Sequence, residues 1–76
     1  MDNEEIVMRK YWIGTVNETD DFGRIISDTF IDGEIRHGSW AIMTPASFHL
    51  YGIGLGQGLG QKYVKQDDGR FMKVEG

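Results

Sequence analysis

The sequence predicts a small, mainly β protein of the α+β kind, with paired hairpins and one short helix near residues 45–51. Three observations carry that expectation. Runs of β-branched and aromatic residues are punctuated by Asp32-Gly33 and by Asp67-Asp68-Gly69, both turn signals. Thr44-Pro45 reads as a helix start. Glycine recurs at 52, 54, 56, 58 and 60, with the period of two that an extended chain has.

Taken in order, residues 1–5 read as a charged terminus and Ile6 to Val16 as a strand. Asn17 to Asp21 has the composition of a turn, closed by Gly23. Arg24–Ile31 and Glu34–Met43 flank Asp32-Gly33, which predicts a hairpin turning at that pair, because Asp and Gly tolerate the positive φ of a type I′ turn. Thr44 can cap a helix and Pro45 suits its first position. Ala46 to Tyr51 would continue it, Gly52 would end it, and Phe48 and Tyr51 would face the sheet. Gln61–Gln66 and Arg70–Glu75 form a second hairpin around Asp67-Asp68-Gly69.

The stretch Tyr51 to Tyr63 organises the rest. If it is extended, its five glycines share one face, while Ile53, Leu55 and Leu59 anchor the other. Five glycines weaken such a strand, each by roughly 0.5–1 kcal/mol relative to alanine. It is therefore either an irregular segment wrapped on the core or a docking strip. In the second case the binding residues are Tyr51, Gly52, Gly54, Gly56, Gly58, Gly60, Lys62 and Tyr63. A phosphate cradle fails on spacing. The dinucleotide fingerprint needs glycine where Gln57 or Leu59 stands, and a P-loop needs glycine before Lys62 and Ser or Thr after it.

Seventy-six residues allow one domain, 1–76, with a thin core. Without cysteine there is neither a disulfide framework nor a thiolate metal site. No apolar run nears the ~20 residues of a membrane span, and the acidic start is unlike a signal peptide. The net charge of −4 is uneven: residues 1–34 hold nine acids and three bases, residues 35–76 five bases and three acids. The acidic half argues against non-specific binding to a phosphate backbone.

No catalytic or metal-binding spacing emerges, and no cofactor is implied. His37 and His49 are the only histidines and stand in no ligand motif. Asp28-x-Phe30-x-Asp32-Gly33 echoes a calcium loop but has Phe30 and Ser39 where ligands belong. Gly38-Ser39-Trp40 is not a nucleophile elbow. The expectation is a non-enzymatic module that binds a larger protein, or like subunits in an assembly. The alternative is a single-strand nucleic-acid binder using Tyr11, Trp12 and Tyr63 with Lys62, Lys65 and Lys73.

Thr19-x-x-Phe22-Gly23, Trp40-Ala41-Ile42-Met43-Thr44-Pro45-Ala46-Ser47 and Gly54 to Tyr63 together resemble small phage and prophage proteins of zinc-ribbon type. Those carry Cys-x-x-Cys-Gly, a hairpin, Trp-Ala-x-Met-Cys-Pro-x-Cys and a glycine-rich run ending Gln-Lys-Tyr. The resemblance spans roughly residues 12–76 and implies a ribbon of hairpins from a phage, with no particular activity. An interaction module in that setting is expected in a virion or the host cytoplasm, as a virion or assembly accessory subunit or an inhibitor of a host protein. The four ligand positions are Thr19, Phe22, Thr44 and Ser47 here, so the resemblance implies a ribbon without metal. Structural zinc supplies on the order of 10 kcal/mol in such domains, and either packing, through Phe22 and Phe48 for example, or an oligomer or partner must replace it.

Overall fold

The computed structural model describes residues 10–76. The elements are β1 (Thr29–Glu34), β2 (Trp40–Met43), α1 (Pro45–Tyr51), β3 (Gly60–Lys65) and β4 (Phe71–Glu75). They form one antiparallel sheet in the order β2-β1-β3-β4. Since β2 and β3 both run antiparallel to β1, they are parallel to each other, and the chain between them crosses one face of the sheet. That crossing contains α1 and the glycine-rich segment. The β-rich α+β expectation holds.

Two elements formed where the sequence placed them. The hairpin β3–β4 turns at Asp67-Asp68-Gly69, with Gly69 at φ 88° and its N–H donating to the Gln66 carbonyl. Helix α1 starts at Thr44, whose Oγ1 accepts from Ser47 N–H, and stops at Gly52, whose N–H donates to the Phe48 carbonyl. Phe48 faces the sheet as expected.

The first hairpin exists, but its turn is not at Asp32-Gly33. Both residues lie inside β1, and the chain reverses at residues 35–39, where Gly38 takes φ 87°. The reason is a close approach between backbones. Gly33 is paired with Gly60 of β3, and a Cβ on Gly33 would stand 2.9 Å from the Leu59 carbonyl oxygen and 3.0 Å from Gly60 Cα. Gly33 is there for space, not for a turn. Asp32 is held in the strand by Trp40, whose Nε1–H donates to Oδ1 at 2.6 Å.

The expected strand Ile6–Val16 is not found in its described part. Residues 6–9, like the expected terminus 1–5, lie outside the described residues. Beyond them only Tyr11 bridges, to Met72, with Trp12 N–H donating to the Phe71 carbonyl and Lys73 N–H to that of Lys10. Residues 10–12 thus cover the β4 edge, and Gly14 at φ 104° turns the chain away. The opposite edge, β2, is covered by the turn around Asp21. Asp21 N–H donates to the Ile42 carbonyl, and Asp21 Oδ2 accepts from Ile42 N–H. Both sheet edges are partly masked against further pairing.

Strand alternation divides the core in two. On one face Phe30, Tyr63 and Phe71 are buried, and Trp12 packs edge-on to Phe30 and Tyr63 at 5.2 and 5.4 Å between ring centres. On the other face Ile31, Ala41 and Met43 are buried beneath Phe22, Ile35, Phe48 and Leu55. Each favourable ring pair adds roughly 0.5–1.5 kcal/mol to the burial of its area.

Candidate interaction surface

The glycine-rich segment is not an extended strip. Gly54, Gly56 and Gly58 take φ of 155°, 132° and 79°, and Gly56 and Gly60 close a tight reversal through Gly56 N–H to the Gly60 carbonyl at 2.8 Å. Nor is there a bare face. A Cβ on Gly52 would collide with the Phe48 ring; Gly60 abuts Gly33 and the Gly54 carbonyl; the Leu59 side chain lies over Gly54 and Gly56. Of the three expected anchors only Leu55 packs into the core, whereas Ile53 and Leu59 are exposed. Tyr63 is buried, Lys62 is half-buried on β3, and Tyr51 does not face the sheet but stacks on Phe22 at 4.2 Å. The segment is an irregular wrap whose glycines supply positive φ and close approach. The eight expected binding residues do not share one surface of bare backbone.

What the structure does assemble is a cleft at the C-terminal end of α1. Phe22, Ile35, Arg36, His37, Leu50 and Tyr51 enclose about 280 Å³ between the helix end and the 35–39 turn. The walls are fixed by backbone bonds: Arg36 N–H donates to the Tyr51 carbonyl at 3.1 Å, and Ile35 bridges to Gly52. Leu50 and Tyr51 are 46% and 38% exposed, more than apolar side chains at a closed helix end require. Leu50 could have been singled out from the sequence. Two residues from Phe48 on a helix puts it about 200° round, on the face turned away from the core. Ile35, Arg36 and His37 could not, because a turn at Asp32-Gly33 places them inside the second strand of the hairpin.

Phe22 reaches this cleft because of a buried knot of polar groups. Asp20 Oδ1 accepts from the N–H groups of Phe22 and Arg24, both at 2.9 Å. Its Oδ2 accepts from Thr44 N–H at 2.8 Å and Thr44 Oγ1–H at 2.9 Å. The Thr44 hydroxyl has a single proton, and Asp20 takes it. The 3.2 Å contact between Thr44 Oγ1 and Ser47 Oγ then uses the Ser47 proton, and Ser47 Oγ accepts from the Arg24 guanidinium at 3.3 Å. Burial works to raise the Asp20 pKa, but the hydrogen bonds its carboxylate accepts, those from Thr44 and Arg24 among them, outweigh it and hold the carboxyl well below the usual range. Thus Thr44 and Ser47, two of the four ligand positions in the resemblance, meet the 19–23 turn around a carboxylate. Phe22 points instead to Tyr51 and the core. Among the described residues no group of three or more His, Cys, Asp or Glu could hold a metal ion.

The residues of the nucleic-acid alternative are only partly brought together. Tyr63 is interior, and the Arg70 guanidinium sits 3.9 Å over the Tyr11 ring. Burial, and then the nearby Asp32, raise the Tyr63 hydroxyl pKa. Trp12 and Phe71 do line a second groove of about 350 Å³ with Lys65 and Arg70. No helix among the described residues is long and apolar enough to cross a membrane. The chain matches no known protein-family model, no curated protein and no solved structure.

Proposed function

We propose that this chain is a non-enzymatic protein-interaction module that docks a larger protein through the cleft at the end of α1. The observation that carries this is the pairing of exposed Leu50 and Tyr51 with a rigid, hydrogen-bonded frame. Apolar anchors on a preformed surface bind with little ordering cost. The phage setting rests on the motif resemblance; a virion accessory subunit and a host-directed inhibitor acting in the host cytoplasm both fit an interaction module of this size. A photo-crosslinking residue placed at position 50 tests the docking surface directly. One discrete protein adduct is expected from position 50 and none from position 67 on the far hairpin. Equal labelling from both positions, or none, would remove the proposal.

A second reading, single-strand nucleic-acid binding, is favoured by the groove that sets Lys65 and Arg70 beside Trp12 and Phe71. Its test is tryptophan quenching by an oligonucleotide. Quenching that weakens steeply with salt supports it, and no quenching at low salt dismisses it.

A further inference from the structure

We infer that the cleft at the end of α1 takes a short peptide segment in which an apolar side chain lies beside a carboxylate; this rests on the interaction reading and names the chemistry of its partner. The walls are apolar: Ile35, Leu50 and the stacked rings of Phe22 and Tyr51. The volume, about 280 Å³, lies just under the roughly 300–1,000 Å³ of small-molecule pockets, and suits one large side chain with its backbone.

The rim decides the rest. Its polar residues are Arg36 and His37, both exposed, and no Asp or Glu lines the cleft. In a chain of net charge −4 this is a local reversal of sign. Among the described residues the one ion pair is Arg70–Asp68, so Arg36 forms no ion pair with a described carboxylate. A guanidinium presents its donors as a planar fork that matches a carboxylate better than any neutral group. An apolar floor with a cationic rim complements an acidic, apolar segment and repels a basic one. The rim is tied to the helix end before any peptide arrives, because the Arg36 N–H is bonded to the Tyr51 carbonyl.

The experiment uses the full chain, labelled with nitrogen-15, and three capped peptides: acetyl-Asp-Phe-Asp-Gly-amide, the same with Lys for both Asp, and the same with Ala for Phe. The first is expected to shift amide resonances at residues 35–37 and 50–52, and the other two to bind at least about tenfold more weakly. Arg36→Glu and Leu50→Ser, both at exposed positions, should each weaken the first peptide by a similar factor while leaving the thermal midpoint in place. Equal binding of the Lys peptide overturns the inference, as do shifts confined to the Trp12–Phe71 groove or no shifts with any peptide. Loss of this inference is separable from loss of the interaction reading. If position 50 still crosslinks a protein partner and Arg36→Glu leaves the adduct yield unchanged, the docking surface stands and the acidic chemistry is wrong. If position 50 gives no adduct, the docking surface itself is wrong.

Discussion

Asp20→Ala tests the physical account of this fold most sharply. Asp20 is 5% exposed and its four described donors come from two chain segments far apart in sequence. Removing the carboxylate leaves the N–H groups of Phe22 and Arg24 in a surface turn, where water can reach them. The Thr44 N–H cannot be rescued so easily, since Thr44 is 6% exposed; its hydroxyl can turn only to Ser47 Oγ, a neutral acceptor 3.2 Å away. A hydrogen bond to a charged group contributes roughly 1.5–3 kcal/mol net, so losing the two Thr44 bonds costs about 3–6 kcal/mol. A chain of 76 residues has a total stability on the order of 4–11 kcal/mol. Asp20→Ala should therefore remove close to half of it and lower the melting midpoint by about 12 °C or more. Urea denaturation followed by circular dichroism measures this, with Asp21→Ala as the control. Asp21 is exposed and its carboxylate accepts one described bond, from Ile42 N–H, so about 1.5 kcal/mol, the low end of that range, is expected there. If Asp20→Ala costs no more than Asp21→Ala, the knot does not hold the two segments together.

Acid should reproduce the same loss. The Asp20 pKa is lowered in the folded chain, so the unfolded chain takes up the proton first as pH falls below about 4. The stabilisation is fully present above that pH and drains away below it; Asp20→Asn should flatten the pH dependence of stability between about pH 5 and 2. Gly33→Ala should cost about 1–3 kcal/mol in the same denaturation assay, because its Cβ meets backbone atoms that cannot swing aside. Trp40→Phe should push the Asp32 pKa further up. Burial and the charge of Asp21 already raise it, and the indole bond opposes them; carboxyl carbon-13 shifts across a pH titration would show the change, and an unmoved Asp32 would contradict the assignment.

Local chemistry was legible in the sequence wherever it had one physical solution. Thr44-Pro45 with Gly52 fixes a helix by caps alone, and Asp67-Asp68-Gly69 lies between two strands with no competing use for its glycine. Asp32-Gly33 failed because the same dipeptide also serves a different need. Gly33 lets two backbones approach, a requirement set by Gly60, which is 27 residues away in the chain and visible only once the strands are paired. The period of two in the glycine run misled for a related reason. Alternation describes side-chain faces only in chains that are extended, and glycines at 54, 56 and 58 leave that region altogether. The cleft was illegible for a third reason. Its walls come from the 19–23 turn, the 35–39 turn and the helix end, and only the fold brings these together.

The knot and the cleft are one construction. Phe22 follows two residues after Asp20, and its N–H is tied to the Asp20 carboxylate. The same carboxylate grips Thr44, which caps the helix whose last turn carries Leu50 and Tyr51. A single buried charge therefore sets both the ring that stacks on Tyr51 and the start of the helix that presents it. This has a consequence beyond stability. Weakening the knot should degrade the cleft before the sheet, because β1, β3 and β4 are held by their own ladders and by the aromatic face. In Asp20→Asn, amide hydrogen exchange should accelerate first at residues 19–24 and 48–52, with β3 protected as in the parent chain. Uniform acceleration across the sheet would show instead that the two faces unfold as one unit.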